Sequence, residues 1–522
     1  MTRIVHAAVD EAFDTAVSLR DWDIQPPGQE RTLVTRREVE LKLELNPADI
    51  DAVLSSPILA AVDGRKHEQT SIYFDTSDWR LRAADLSLRV RTTGARRTQT
   101  VKFEGSGATG LFVRPEWEMP VDGDRPLIGE TDCPLRTLIP VGEWQQLSSV
   151  FRSVVIRQTR LLTYDGAQIE LLLDQGEIVA AGRKTPICEV ELELKQGSPN
   201  VLFALAKALD QVSPLQLSAL SKWQRGMQLL DESTDHAVRA VPVRFPRDMV
   251  ASEGLSEIAH ACIRQFRLNQ SILARTLDPD ALHQARVALR RLRSAISIFR
   301  DLLADGQYRY MLDSLHWVAR ELDTARNIDV LLGRTQDEAM GQLLLKHRPQ
   351  AYATALAALG SQRLRTLMLD LVEWVAMGRW LTDPADQMLL DQPLVEFAGA
   401  ALDRCRKRVK RSGSEWMELD DIGRHTLRIR TKKLHYAADF FGSLFRGKHT
   451  IRRHTTFLKA LKLLQNALGD LNDHATGPIL LAQLDLPPGL AATSSDKAMR
   501  KSMLEDAQKA YEVLIDAKRF WC

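Results

Sequence analysis

Cysteine is scarce: five residues in 522, widely spaced (Cys133, Cys188, Cys262, Cys405, Cys522), with no CxxC or Cys/His metal pattern. That excludes a disulfide framework and a structural zinc site, and it fits a reducing compartment. Net charge is missing as well. Lys+Arg total 70 against Asp+Glu 68, a formal +2, so the field of the whole chain selects no partner and any anion site must come from local clustering. No run of about 18 apolar residues occurs that could cross a bilayer. Near the amino terminus Asp10, Glu11 and Asp14 break what would be the apolar centre of a signal peptide. These absences predict a soluble, cytoplasmic protein.

The length predicts two domains, each able to bury its own core. Residues 1–35 read as an N-terminal extension with a short helix over 11–19 and a Pro26-Pro27-Gly28 break. From Arg36 to about Gln196 the dominant signal is period-two alternation in short runs: VELKLEL, SLRVR, TQTVKF, RPEWEM, IELLLD and CEVELELK, separated by Gly, Pro and Asp turns. That predicts a mostly antiparallel β domain over 36–230. Two helices are predicted inside it, one from Asn46 to Ser55 with Asn46 as N-cap and Pro47 in first position, the other over 201–211. Residues 231–249, with Pro242 and Pro246, read as a linker, and 250–522 has helical periodicity almost throughout. The fold class is therefore α+β multidomain, a β domain followed by an all-α domain.

In Glu38-Val39-Glu40-Leu41-Lys42-Leu43-Glu44-Leu45 all charges fall on one strand face and all apolar side chains on the other. The pattern returns in Glu189-Val190-Glu191-Leu192-Glu193, in Arg114, Glu116 and Glu118, and in Arg89 and Arg91 about Val90. For a single strand, a solvated face is the ordinary explanation. Several such strands together supply what a metal–polyphosphate complex needs, carboxylates for a hard cation and bases for non-bridging oxygens.

Six elements in order, Glu38-x-Glu40-x-Lys42, Tyr73-Phe74-Asp75-Thr76, Leu88-Arg89-x-Arg91, Arg114-x-Glu116-x-Glu118, Glu189-x-Glu191 and Ser221-Lys222, resemble the CYTH family, the triphosphate tunnel metalloenzymes. The resemblance implies an eight-stranded antiparallel tunnel with flanking helices, holding Mg²⁺ or Mn²⁺ on its acids and triphosphate on its bases. Carried over by position, it implies Glu38, Glu40, Glu189 and Glu191 as metal ligands, with Glu118 and Asp174 as further candidates. Lys42, Arg89, Arg91, Lys102, Arg114, Arg160 and Lys222 become phosphate contacts, and Glu38, Glu40 and Lys42 the catalytic set. Lys102, Arg160 and Asp174 rest on single strand positions, where a solvated or structural role is the alternative. Family members include class IV adenylyl cyclases, thiamine triphosphatases and inorganic triphosphatases; the cyclase-type His-Phe signature ahead of ExExK is not evident.

In the second half, the run from His283 to Arg293 has a partner 142 residues on, beginning at His425: Arg286 meets Arg428, Arg290 meets Lys432, Arg291 meets Lys433 and Phe299 meets Phe441. This is an internal duplication, and it predicts two related helical bundles. At 100° per residue His283, Arg286, Arg290 and Arg293 share a face, repeated by His425, Arg428, Lys432 and His435. A solvated helix surface normally interleaves acids, and neither segment has one before Asp301 or Asp439. Further basic helix faces occur at Arg264/Arg267 and at Arg404/Lys407/Arg408/Arg411. With Leu322-Asp323-Thr324-Ala325-Arg326-Asn327 and Leu468-Gly469-Asp470-Leu471-Asn472-Asp473, these features resemble the CHAD domain, the helical module often fused behind CYTH. That implies polyphosphate binding by Arg264, Arg267, His283, Arg286, Arg290, Arg293, Arg404, Lys407, His425, Arg428, Lys432 and Lys433. Its histidines are poor metal ligands, since cations surround them.

The expected activity is metal-dependent hydrolysis of inorganic triphosphate or short polyphosphate. The alternatives are a non-catalytic protein targeted to polyphosphate granules, or a triphosphatase for thiamine or nucleoside triphosphate. Nucleic acid is disfavoured because the basic helices lack interleaved aromatics for base stacking.

Overall fold

The computed structural model describes residues 34–104, 109–127, 135–232, 235–303, 305–383, 387–483 and 497–521. The predicted helix over 11–19 lies outside them. Packing separates two compact units: one of residues up to 236 together with 360–377, the other of 237–359 and 378–522.

The first unit is an antiparallel sheet of β1 (Val34–Leu45), β2 (Gly64–Thr76), β3 (Leu86–Thr93), β4 (Arg96–Phe103), β5 (Leu111–Pro120), β6 (Leu147–Tyr164), β7 (Ala167–Ala180), β8 (Arg183–Gln196) and β9 (Leu215–Leu217). The order is β5-β4-β3-β2-β6-β7-β8-β1-β9, and β5 also pairs with β1. Eight strands thus close into a ring, as a tunnel requires. The ninth, of three residues, was not expected; it pairs Leu215–Leu217 with the end of β1 that β5 leaves uncovered.

Closure puts one face of each strand inside the ring; helices flank part of the outside, while the outer face of β6 keeps Arg152 and Ile156 exposed. Outside, Leu41 and Leu43 of β1 and Val190 and Leu192 of β8 are buried, in the region where helix α4 (Asn200–Asp210) packs on β1, β8 and β9. The predicted cap before it in the chain also forms: Asn46 Oδ1 accepts from the N–H of Ala48 at 3.1 Å, opening a short 3₁₀ turn and then α1 (Ile50–Leu54). The outer face of β3 and β4 is sealed by Leu81 of α2 (Arg80–Ala83) and Leu135 and Leu138 of α3 (Leu135–Leu138). Asp75 shapes this corner, accepting from the N–H groups of Thr76, Leu81 and Arg82.

Inside, one end of the ring is filled. Helix α5 (Lys222–Leu230) places Trp223 and Met227 against Tyr73, Phe151, Val155, Ile178 and Ile187. Only glycine fits at 226, because a Cβ there would stand 2.3 Å from the Phe151 ring.

The second unit begins with α6 (Ala251–Thr276), α7 (Pro279–Ile298), α8 (Gln307–Glu321), α9 (Asp323–Leu332) and α10 (Glu338–Leu359). The next helix, α11 (Gln362–Met377), belongs to the first unit, where it packs on α4 and β9. It buries an apolar face that includes Leu367, Leu371 and Trp374, and ion pairs fix it further: Lys207 reaches Asp370 at 2.6 Å and Glu373 at 2.7 Å, and Arg365 donates to the buried Asp210, which also accepts from the Leu215 N–H at 2.8 Å. The second unit continues with α12 (Gln387–Leu390), α13 (Leu394–Ser412), α14 (Asp421–Phe441), α15 (Lys448–Gln483) and α16 (Lys497–Asp516).

The duplication is visible as a reciprocal contact. Arg291 of α7 is paired with Asp439 of α14, and Lys433 of α14 donates to Ser297 O of α7 at 2.9 Å. The 142-residue offset maps 291 onto 433 and 297 onto 439, so α7 and α14 meet as a pseudo-twofold pair. Phe299 and Phe441, also equivalent, meet there at 5.9 Å with Phe397 stacked on Phe299 at 4.4 Å.

Candidate active site and basic helix face

Alternation decides which side chains enter the ring. On β1, Glu40 and Lys42 face inward, and so do Glu189, Glu191 and Glu193 on β8, Asp174 on β7 and Arg157 on β6. All are buried. Their ion pairs form one network. Lys42 Nζ lies 2.7 Å from Glu191 Oε1 and 3.4 Å from Glu40. Lys222, from the first turn of α5, lies 2.7 Å from Asp174 and 3.0 Å from Glu191, and also pairs with Glu189. Arg157 grips Asp174 with two bonds, 2.7 and 2.6 Å, and reaches Glu191 at 2.9 Å.

Electrostatics fix the ionisation of this cluster. Burial opposes charge on Glu191, yet Lys222, Lys42 and Arg157 hold its carboxyl well below the usual range. Asp174 is also lowered, by Lys222 and Arg157 acting against its burial. Lys42 is raised despite burial, mainly by Glu191 and Glu40. Glu191, Asp174 and Lys42 are therefore charged at neutral pH. Among the described residues, two groups of acids have oxygens within 4.8 Å of one another: Glu40, Glu191 and Glu193, and Asp174, Glu189 and Glu191. Glu191 belongs to both. Hard carboxylate oxygens are the donors Mg²⁺ and Mn²⁺ take, and Glu189 Oε2 is buried with no hydrogen bond among the described residues, Arg225 standing 3.5 Å from it. The residues fit a divalent cation.

Further along the inner face, Lys102 Nζ lies 3.1 Å and Arg89 Nη2 3.8 Å from Glu116. The Nε atoms of Arg89 and Arg91 are buried with no hydrogen-bond partner among the described residues, so donors remain for an anion. Glu118 is exposed, accepts from Thr100 at 3.0 Å and stands outside both acid groups. Glu38 and Arg114 pair through their backbones in β1 and β5, but their side chains lie outside the described residues.

Two predicted contacts are corrected. Arg160 sits on the face of β6 opposite Arg157 and donates to the carbonyls of Leu59 and Val62 at 2.5 and 2.8 Å, so it ties a loop and does not enter the tunnel. The base missed there is Arg157, which shares the parity of the buried Phe151, Ser153 and Val155. Arg225 was missed too; it reaches Glu44 at 2.8 Å and Glu189 at 3.5 Å. In the helical unit Arg267 is only 3% exposed and donates to Gln270. It is part of the core of α6, not of a phosphate-binding face.

The rest of the basic face is heterogeneous. Arg286 donates to Ala319 O at 3.0 Å and pairs with Asp323. The Arg290 Nε is buried without a hydrogen-bond partner among the described residues. His283 is pushed down to about 4 by burial and by Arg326 and Arg290, so it is neutral at pH 7. His425 Nδ1 is 3.0 Å from Asn472 Oδ1. Arg264 and Arg293 are half-buried, Arg404 and Lys407 are exposed on α13, and Arg428 and Lys432 occupy the α14 positions equivalent to Arg286 and Arg290. Lys433 is engaged with Ser297.

His260, inside α6, is pushed down to about 4 by burial alone. Unfolded, it binds a proton near pH 6.5, so between these values the unfolded chain holds more protons and stability rises with pH. At pH 5 the buried neutral ring costs about 2 kcal/mol. Melting of the helical unit is expected several degrees lower at pH 5 than at pH 7, and His260→Gln is expected to shrink that difference; an unchanged difference in the variant would refute the assignment to His260.

The fold and site define an acid- and base-lined β tunnel joined in one chain to a basic helical domain. Residues 36–227 match the CYTH domain model and residues 257–482 the CHAD domain model; the chain is a CYTH domain followed by a CHAD domain. An inorganic triphosphatase from Haemophilus influenzae (strain ATCC 51907 / DSM 11121 / KW20 / Rd) is 31% identical over 199 residues, 37% of this chain and 55% of that protein. The match thus spans about half the length of that relative. Among solved structures, the CHAD domain from the plant Ricinus communis is 28% identical, with a TM-score of 0.47, over 53% of this chain and 96% of that one. An adenylyl cyclase candidate from Hippeastrum with a dominant triphosphatase activity is 21% identical, with a TM-score of 0.30, over 37% of this chain and 95% of that one. Among the described residues no helix is long and apolar enough to cross a membrane.

Proposed function

We propose that this protein hydrolyses inorganic triphosphate, and short polyphosphate, in the tunnel with Mg²⁺ or Mn²⁺, and that the helical unit binds polyphosphate. The observation that carries the reading is the network centred on Glu191: two carboxylate groups able to take a divalent cation, interleaved with Lys42, Lys222 and Arg157. An acid cluster alone would repel a triphosphate, and a basic cluster alone would not hold the metal that neutralises it.

Glu40, Glu189, Glu191 and Asp174 would hold the metal, with Glu193 beside Glu40. The metal supplies charge neutralisation and polarisation of phosphoryl oxygens when bound. Lys42, Lys222, Arg89, Arg91, Lys102 and Arg157 bind and orient the non-bridging oxygens. Their fixed positive charge favours the transition state, in which charge spreads over the transferred group. Water attacks the terminal phosphorus and the terminal P–O anhydride bond breaks, leaving phosphate and diphosphate. The relative's name supports the inorganic substrate. Thiamine or nucleoside triphosphate, and a purely granule-targeting role, remain as other readings for the same assay.

The test uses the full chain, since α11 forms part of the tunnel unit. Phosphate release is measured from inorganic triphosphate, ATP, thiamine triphosphate and long polyphosphate, with Mg²⁺, Mn²⁺ or EDTA. The expected result is metal-dependent release, fastest from inorganic triphosphate and abolished by EDTA. No release from any substrate, with polyphosphate still bound, would replace the enzyme by a targeting protein.

A further inference from the structure

Glu104 directly follows β4 and belongs to none of the groups described above. It is 5% exposed. Ser87 Oγ of β3 donates to its Oε1 and Ser221 Oγ to its Oε2, each at 2.7 Å. Ser221 is the N-cap of α5, where its Oγ also accepts from the Gln224 N–H at 3.2 Å. The hydroxyl proton is therefore committed to Glu104. The next residue is Lys222, whose amine lies among Asp174, Glu189 and Glu191.

Strand order gives this chain of contacts its meaning. In the closed ring β4 stands four strands from β7 in either direction. Two consecutive residues, Ser221 and Lys222, thus span the tunnel: Ser221 is tied to the β3/β4 wall by Glu104, and Lys222 to the β7/β8 wall by the metal-competent acids. We propose that Glu104 is a positioning residue that acts through Ser221 to hold Lys222 in the acid cluster, and so sets how Lys222 meets the phosphates. This rests on the triphosphatase reading for its kinetic consequence but not for the positioning itself.

The geometry makes a prediction that simple packing does not. If Glu104 works through Lys222, losing both should cost no more than losing Lys222. Lys222→Met is expected to lower kcat/KM for inorganic triphosphate roughly a hundredfold, Glu104→Ala by at least about tenfold, and the double variant no further than Lys222→Met alone. Glu104→Gln keeps one acceptor for Ser221, and the Ser87 hydroxyl can turn to accept from the new amide, so this variant is expected within about threefold of the wild type.

A second readout needs neither substrate nor turnover. Amine acetylation followed by mass spectrometry is expected to leave Lys222 protected in the wild type and in Glu104→Gln, and to label it at least about tenfold faster in Glu104→Ala. Lys42, buried in the same network, stays protected throughout and reports that the ring is intact. Multiplicative kinetic losses, or a Lys222 that remains protected in Glu104→Ala, would overturn the proposal. A wild type without triphosphatase activity but with this labelling pattern would sink the enzyme reading and leave the positioning role standing.

Discussion

Glu191→Gln is expected to lower turnover of inorganic triphosphate by about two to three orders of magnitude while tightening metal-free triphosphate binding. Glu191 belongs to both acid groups, so its loss weakens metal binding whichever group the ion prefers. It is also the shared partner of Lys42, Lys222 and Arg157. Removing its charge leaves those three cations with less compensation, and a trianion or tetra-anion in EDTA then meets a more positive tunnel. Turnover and metal-free affinity should therefore move in opposite directions. Global damage would move both downward. Calorimetric titration of inorganic triphosphate in EDTA, beside phosphate release in Mg²⁺ and Mn²⁺, separates the two: weaker binding together with lost turnover would refute the hub role. Glutamine is the appropriate replacement because it keeps the shape of a side chain 3% exposed and one of its two acceptor oxygens, losing the charge and the acceptor on the other side.

Period-two alternation made much of the ring legible, most clearly in β1, β3, β5 and β8, where charged or polar side chains alternate with apolar ones. It failed on β6. There Val154, Val155 and Ile156 are consecutive and apolar, and Arg157 and Arg160 stand three apart, so parity could not be read from either arginine alone. The inward set is recognised only from the buried Phe151, Ser153 and Val155, which makes Arg157 the tunnel base and Arg160 a loop anchor. Glu104 was hidden for a different reason: it lies past the end of β4, next to a Gly-Ser-Gly stretch, and its partner Ser221 is 117 residues away. Helical periodicity located the basic face of α7 and its copy in α14 but misread α6. Arg264 and Arg267 look like one basic pair, yet the buried stripe through Ile263, Phe266 and Gln270 takes Arg267 inside. The membership of α11 in the tunnel unit was not legible at all, because its Arg365, Asp370 and Glu373 look like ordinary surface charges until Asp210 and Lys207 are placed opposite them.

The duplicated helix leads to the last expectation. Arg290→Gln combined with Lys432→Gln should weaken binding of long polyphosphate by the full chain by one to two orders of magnitude, and reduce the slope of log affinity against log salt by about two. The two positions are equivalent under the 142-residue offset, on helices that meet as a reciprocal pair through Arg291, Asp439, Lys433 and Ser297. A long, flexible polyanion can engage both copies at once, so losing both removes more than either loss alone. Arg290 is a clean target because its buried Nε makes no hydrogen bond among the described residues; Arg291, one position on, is not, because it pairs with Asp439 and holds the repeats together. The tunnel network includes neither residue, so hydrolysis of inorganic triphosphate should proceed at the wild-type kcat in the double variant. Undiminished polyphosphate affinity, or an unchanged salt slope, would remove α7 and α14 as the binding face and direct attention to the exposed bases of α13.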